Sequence, residues 1–178
     1  MPWFHVQWGT YGSWLPGDPR GFRNRDHRIH SSGDYRHPPP KGEHAGLRFY
    51  ALEQLKKPVV VLPTPLRARV RDAVVSKSIE SQVRLAALSV SRVHAHALMK
   101  TERHTLGQDI GKLKRSSSHA IRDAIPGVVW AAKYHQDPVT NLNYFWTVFN
   151  YILEHESKEG ASIWHWDGPC GPDEQSGT

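Results

Sequence analysis

Two small groups of residues in this chain have the types and spacing to do chemistry. The first is His94-Ala95-His96. On an extended strand, side chains two apart leave the same face, here about 7 Å apart along the strand. Two imidazoles at that spacing can grip one divalent cation. The second group is Tyr151 and His155, four residues apart, which on a helix puts a phenol and an imidazole on one face about 6 Å apart along the axis. A phenol with a pKa near 10 is a poor nucleophile at neutral pH unless its target is activated, and a cation held by nearby imidazoles is one way to activate it. A His-x-His pair is weak by itself: with 12 His in 178 residues, chance supplies about one. The order is more informative, because the pair stands on an expected strand and the phenol on an expected helix downstream.

That helix is expected over Asp137 to Glu159, with Asp137 as N-cap and Pro138 at the first helical position. Leu142, Phe145, Trp146, Phe149, Ile152 and Leu153 fall in one apolar sector, and Asn143, Thr147, Asn150 and Glu154 in a polar one. Tyr144, Val148, Tyr151 and His155 make a third stripe. A helix buried on two sides would also explain that stripe, so the pattern needs the upstream histidines to acquire meaning.

Upstream, Trp3 to Tyr11 alternates Phe4, Val6 and Trp8 against Trp3, His5 and Gln7, a first strand. Gly12 to Gly46 is crowded with Gly and Pro, shows no periodicity, and carries Arg20, Arg23, Arg25, Arg28, Arg36 and Lys41; it is expected to be a long loop. Leu47 to Lys57 and then Pro63 to Ser81 read as helices. Val83 to Val90 and Arg92 to Lys100 read as two antiparallel strands joined near Ser89 to Ser91. Thr105 and Gln108 form a capping box for a helix reaching about Asp123. Lys112, Lys114, Arg115 and Arg122 sit on its outer face, equally consistent with a solvated surface and with phosphate contacts. Val128 to His135 supplies a fourth strand. The resulting order is βαββαβα, an α+β arrangement in which helices pack on an antiparallel sheet. Residues 1–160 are expected to form one domain with an insertion at about 12–46, and residues 161–178, rich in Gly, Pro, Ser and acids, a flexible tail.

Composition bounds the partners. Lys and Arg outnumber Asp and Glu by 23 to 17, with a pI of about 9.6, which favours a polyanion. Seven Trp and six Tyr add surfaces on which bases can stack. The single Cys170 excludes an intramolecular disulfide and argues against a thiolate zinc site. The longest aliphatic run, Val59 to Leu62, is far too short for a membrane span. No secretory leader opens the sequence, and a cytoplasmic location is expected.

Taken together, these motifs resemble the single-tyrosine transposases of the HUH endonuclease superfamily, in particular the REP-associated tyrosine transposases. The resemblance rests on His94-Ala95-His96, on Tyr151-Ile152 with His155 one turn later, on Trp130 to Asp137 leading toward that helix, and on Phe4-His5-Val6 with Trp8. It covers about residues 2 to 160 without the insertion. Two departures stand: Ala95 replaces the larger aliphatic residue usual between the histidines, and HisGluSerLysGluGly after the tyrosine lacks the common Asn-Pro. Neither removes a reactive group.

The resemblance implies a ferredoxin-like HUH fold with a C-terminal tyrosine-bearing helix. It implies Tyr151 as nucleophile and His94, His96 and His155 as ligands of a divalent cation, Mg²⁺ or Mn²⁺. The expected substrate is single-stranded or hairpin DNA, cleaved and rejoined through a 5′-phosphotyrosine. Lys112, Lys114, Arg115, Arg122, Arg20, Arg23 and Arg25 are the expected DNA-contacting residues. A homodimer, with Tyr151 serving either subunit, is compatible with this scheme. The competing class is a single-stranded nucleic-acid-binding protein of the same fold that has lost the chemistry, and a nicking replication initiator is a third option.

Overall fold

The computed structural model describes residues 1–20, 22 and 40–168. In chain order its elements are β1 (Trp3–Gly9), α1 (Ala45–Glu53), α2 (Thr64–Glu80), β2 (Arg84–Val90), β3 (His94–Lys100), α3 (Leu106–Ala120), β4 (His135–Val139), α4 (Leu142–Glu159) and β5 (Ser162–His165). The strands form one antiparallel sheet in the order β4-β1-β3-β2-β5. Its first four strands follow the ferredoxin-like arrangement of a split βαβ fold, with β5 added at the β2 edge. Among the described residues, no helix is long and apolar enough to cross a membrane.

The alternation along β1 and β3 divides the molecule into two cores. Register places Phe4 opposite Met99, Val6 opposite Ala97 and Trp8 opposite Ala95. These six side chains join Val70 and Val74 of α2 and Leu106, Ile110 and Leu113 of α3 in the larger cluster. The other face of the same strands carries Trp3 and Leu98, which pack with Phe145, Val148 and Ile152 of α4. The two strands therefore also send His5, Gln7, His94 and His96 toward the α4 side.

A β-bulge at Ala86, where the β2–β3 register shifts between Leu85 and Ala87, adjusts β2 to this division. It keeps Leu85 and Leu88 in the larger core while Ala86 and Ala87 both lie beneath α4. Without the bulge, residues three apart would point to opposite faces.

Several sequence expectations are corrected. Asp137 and Pro138 do not start α4; they lie in β4, with Asp137 opposite His5 and Pro138 opposite Phe4. Because β4 is an edge strand, proline's missing N–H costs the sheet nothing there. The helix instead starts after Asn141, an extended N-cap whose side chain accepts a 2.8 Å hydrogen bond from the Tyr144 N–H. Replacing Asn141 by Ala is expected to cost about 1 kcal/mol, measurable as a lowered urea midpoint at unchanged m-value. Thr105 stands at the N-cap position of α3 but makes no side-chain capping bond, and the capping box is absent: its hydroxyl bonds the buried Asp109 carboxylate, as does that of Thr101.

Residues Val128 to Ala131 are not a strand either. Val129 and Trp130 are buried, but this segment makes one isolated bridge, Thr10 to Trp130. The Trp130 indole donates to Ser117 Oγ at 2.9 Å, so the apolar run is a buried connection. At the other end, the chain after Gly160 is not all tail. Gly160 adopts a left-handed φ of 60° that ends α4 and turns the chain back, and β5 then pairs with β2 through residues 162–165. Residues 169–178, including Cys170, lie outside the described residues, as does most of the 12–46 insertion.

Candidate functional site

β3 and α4 bring the two chemical groups together. His94 and His96 point from β3 toward α4, and His155 points back. One ring nitrogen from each lies within 4.8 Å of the others. The ring centroids are 4.9 Å apart for His94–His96, 4.6 Å for His96–His155 and 5.7 Å for His94–His155. Tyr151 stands over this trio, its ring 4.7 Å from that of His155 and 5.5 Å from that of His96. It is 43 % exposed, so the phenol borders solvent while the imidazoles behind it are largely enclosed.

Hydrogen bonding fixes the free lone pairs. His155 Nδ1 lies 2.8 Å from the Tyr151 carbonyl oxygen. A carbonyl can only accept, so Nδ1 carries the proton and Nε2 keeps its lone pair. His96 Nδ1 lies 3.0 Å from His5 Nε2; with the proton on His96 Nδ1, its Nε2 is likewise available. Burial holds His96 well below the ordinary histidine pKa, and the neighbouring His94, His155 and His5 push it the same way. His94 is lowered by burial, partly offset by the Glu159 carboxylate. Both are neutral at pH 7, the form in which imidazole coordinates a metal. Three imidazoles converging from two elements are a donor set that fits a divalent transition metal.

Two residues at this site were missed by motif reading. His5 stacks on His96 with ring centroids 5.3 Å apart and stands 5.9 Å from the Tyr151 ring. Burial lowers its pKa, while Asp137 pulls in the opposite direction. The alternation of β1 already assigned His5 to the face opposite Phe4 and Val6, a signal that becomes useful once the face is known to hold other histidines. Glu159, one turn beyond His155, places Oε2 3.3 Å from His94 Nε2.

The rival phenols lie elsewhere. Tyr144 packs against the α4-side core, where burial and Asp137 raise its pKa. The Tyr134 hydroxyl lies near Gly107 at the start of α3. Among the basic candidates, Arg20 is close enough to the cluster for its charge to act on His94 and for Glu159 to act on it. Arg20 bonds both Asp18 carboxylate oxygens at 2.8 Å and covers the Trp14 ring at 4.2 Å. Lys112, Lys114, Arg115 and Arg122 are not brought to the histidines. They lie on or just after α3, across the sheet from α4. Lys112 pairs with Asp109 at 2.9 Å, and Arg122 contacts His119 at 2.8 Å. Lys114 is directed inward, donating to the Ala131 and Ala132 carbonyls at 2.5 and 3.1 Å, where it holds the buried connection in place. Arg23 and Arg25 lie outside the described residues.

No family model and no curated protein matches this sequence. Among solved structures, the chain is similar to that of a REP-associated tyrosine transposase bound to a REP hairpin, at 12 % identity and a TM-score of 0.47, over 88 % of this chain and 67 % of that one. It is also similar to a candidate transposase from Deinococcus radiodurans R1, at 15 % identity and a TM-score of 0.41, over 86 % of this chain and 89 % of that one.

Proposed function

We propose that the chain is a metal-dependent, single-tyrosine transposase or strand-transfer endonuclease of HUH type, acting on single-stranded or hairpin DNA through a 5′-phosphotyrosine intermediate. The observation that supports this reading best is the placement of a partly exposed phenol against three clustered imidazoles, two of them held below the usual histidine pKa chiefly by burial. In this reading His94, His96 and His155 hold the cation, and nitrogen donors favour Mn²⁺ over Mg²⁺ among the two expected ions. When bound, the cation supplies positive charge that neutralises and orients the scissile phosphate.

The protein residues do the rest. Tyr151 offers its hydroxyl oxygen at the solvent edge of the cluster, where a phosphodiester can approach in line. Attack forms a Tyr151 oxygen–phosphorus bond and breaks the bond from phosphorus to the 3′ oxygen. The phenolic proton leaves to solvent, and the departing 3′ oxygen takes up a proton. One phosphodiester replaces another, so rejoining by the reverse attack of a 3′-hydroxyl needs no nucleotide cofactor. His155 anchors its own ring to the Tyr151 carbonyl, so the nucleophile and the third imidazole keep a fixed relation along α4.

The decisive experiment is incubation with a pool of hairpin-bearing single strands and Mn²⁺, followed by denaturing electrophoresis. A protein–DNA band that resists denaturant and disappears with a chelator is the expected result. Binding without any such band would favour the binding protein that has lost the chemistry.

The exposed α3 cations are proposed as a second, sequence-independent contact for the DNA backbone. Replacing Lys112 and Arg115 by Ala is expected to flatten the dependence of log K on log salt by roughly 0.7 for each single-strand phosphate that is no longer neutralised. An unchanged slope would confine the DNA to the α4 side of the sheet.

A further inference from the structure

α4 carries one more chemical group in register with Tyr151 and His155. Glu159 follows His155 by four residues, so the tyrosine, the histidine and the carboxylate recur once per turn on a single stripe. The stripe ends on β3, where Glu159 Oε2 meets His94 Nε2 at 3.3 Å. We infer that Glu159 is a fourth protein ligand of the centre, so that β3 and α4 each contribute two donors: His94 and His96 from the strand, His155 and Glu159 from the helix. This rests on the reading of the histidine cluster as a cation site.

The 3.3 Å separation is informative in itself. Two donor atoms bound to the same ion at about 2.0–2.2 Å, at tetrahedral or octahedral angles, stand about 3.0–3.5 Å apart. The His94–Glu159 pair already has that spacing; the three imidazoles, within 4.8 Å of one another, need to draw together slightly, and the carboxylate, which meets His94 but stands outside that cluster, has to turn toward it. Charge argues in the same direction. The three imidazoles offer no negative charge to a dication, and a fixed positive charge, Arg20, acts on both His94 and Glu159. A carboxylate at that edge offsets both. It also adds a hard oxygen to a nitrogen set, a mixture suited to Mn²⁺, and leaves part of the coordination sphere for a phosphate oxygen.

The test is calorimetric titration of the full chain with MnCl₂, alongside Co²⁺ absorption spectra, for the wild type, Glu159→Gln, Glu154→Gln and His94→Ala. Glu154 pairs with Lys158 on the outer side of the same helix and serves as the control. Glu159 is exposed at the helix end, so its amide variant is expected to fold, as far-UV circular dichroism would verify. Metal affinity is expected to fall about 10–100-fold in Glu159→Gln, with a change in the Co²⁺ bands, and to stay unchanged in Glu154→Gln. Superimposable isotherms for wild type and Glu159→Gln would overturn the inference, and so would a fall in affinity with an unaltered Co²⁺ spectrum, which would place Glu159 outside the coordination sphere. If His94→Ala also binds like the wild type, the cation site itself is wrong. If His94→Ala abolishes binding and Glu159→Gln does not alter it, only the role of Glu159 is wrong.

Discussion

Tyr151→Phe is expected to abolish the covalent protein–DNA adduct while leaving DNA binding close to that of the wild type. The substitution removes one oxygen from a side chain that is 43 % exposed, and the ring keeps its contacts with His155, His96 and His5. The loss should therefore fall on the chemical step, by about three orders of magnitude or more. Denaturing gels for the adduct, with anisotropy for binding on the same preparation, separate the two quantities. The competing phenol is Tyr144, two turns earlier. It lies in the α4-side core, away from the imidazoles, and Tyr144→Phe should retain the adduct. An active Tyr151→Phe protein would remove the proposed nucleophile.

His155→Ala is expected to weaken metal affinity by at least the 10–100-fold that loss of even an outer partner of a ligand costs, and to leave activity recoverable at high Mn²⁺. The side chain is only 5 % exposed, its Nδ1 is committed to the Tyr151 carbonyl, and its ring faces His96 at 4.6 Å. A histidine that served only to stabilise a helix C-terminus would contribute about 0.3–1 kcal/mol through the dipole and leave metal binding alone. The two roles separate in metal titrations of the wild-type and variant proteins. Curves that superimpose would reduce the site to His94, His96 and other donors.

Much of this architecture was legible because its signals are local. Period-two alternation in β1 and β3 specified which residues share a face, and the spacing of Tyr151 and His155 specified one helical stripe. The errors came where tertiary pairing overrides local preference. Asp137-Pro138 is a good helix start in isolation, yet β1 offers a strand partner, and the stronger local cap is Asn141. Four residues of β5 sit in a segment whose composition suggests a frayed end; the edge of β2 and Arg71 of α2 hold them extended. On α4 the assumed core face was rotated: Leu142 is 60 % exposed, and the buried line runs Phe145, Val148, Ile152 and His155. That rotation brings His155 inward. Glu159 was invisible for a different reason, since a carboxylate in a charged helix end has no distinguishing pattern until a histidine from another strand is seen beside it. Lys114 shows the converse, a basic residue in a basic stretch whose ammonium is turned inward to backbone carbonyls.

The two alanines beneath α4 carry a consequence for descent. Ala86 and Ala87 are almost completely buried in the cluster beneath α4, and their size lets the helix lie close enough for His155 to meet the strand histidines. A larger side chain at either position would have to lift α4, with an overpacking cost of about 1–3 kcal/mol and a separation of the two halves of the cluster. A lineage drifting at these positions would lose the proposed activity while still displaying His94, His96, Tyr151 and His155 intact. Among descendants of such a protein, the first mark of retirement would be written in methyl groups under the helix, before any histidine or tyrosine is lost.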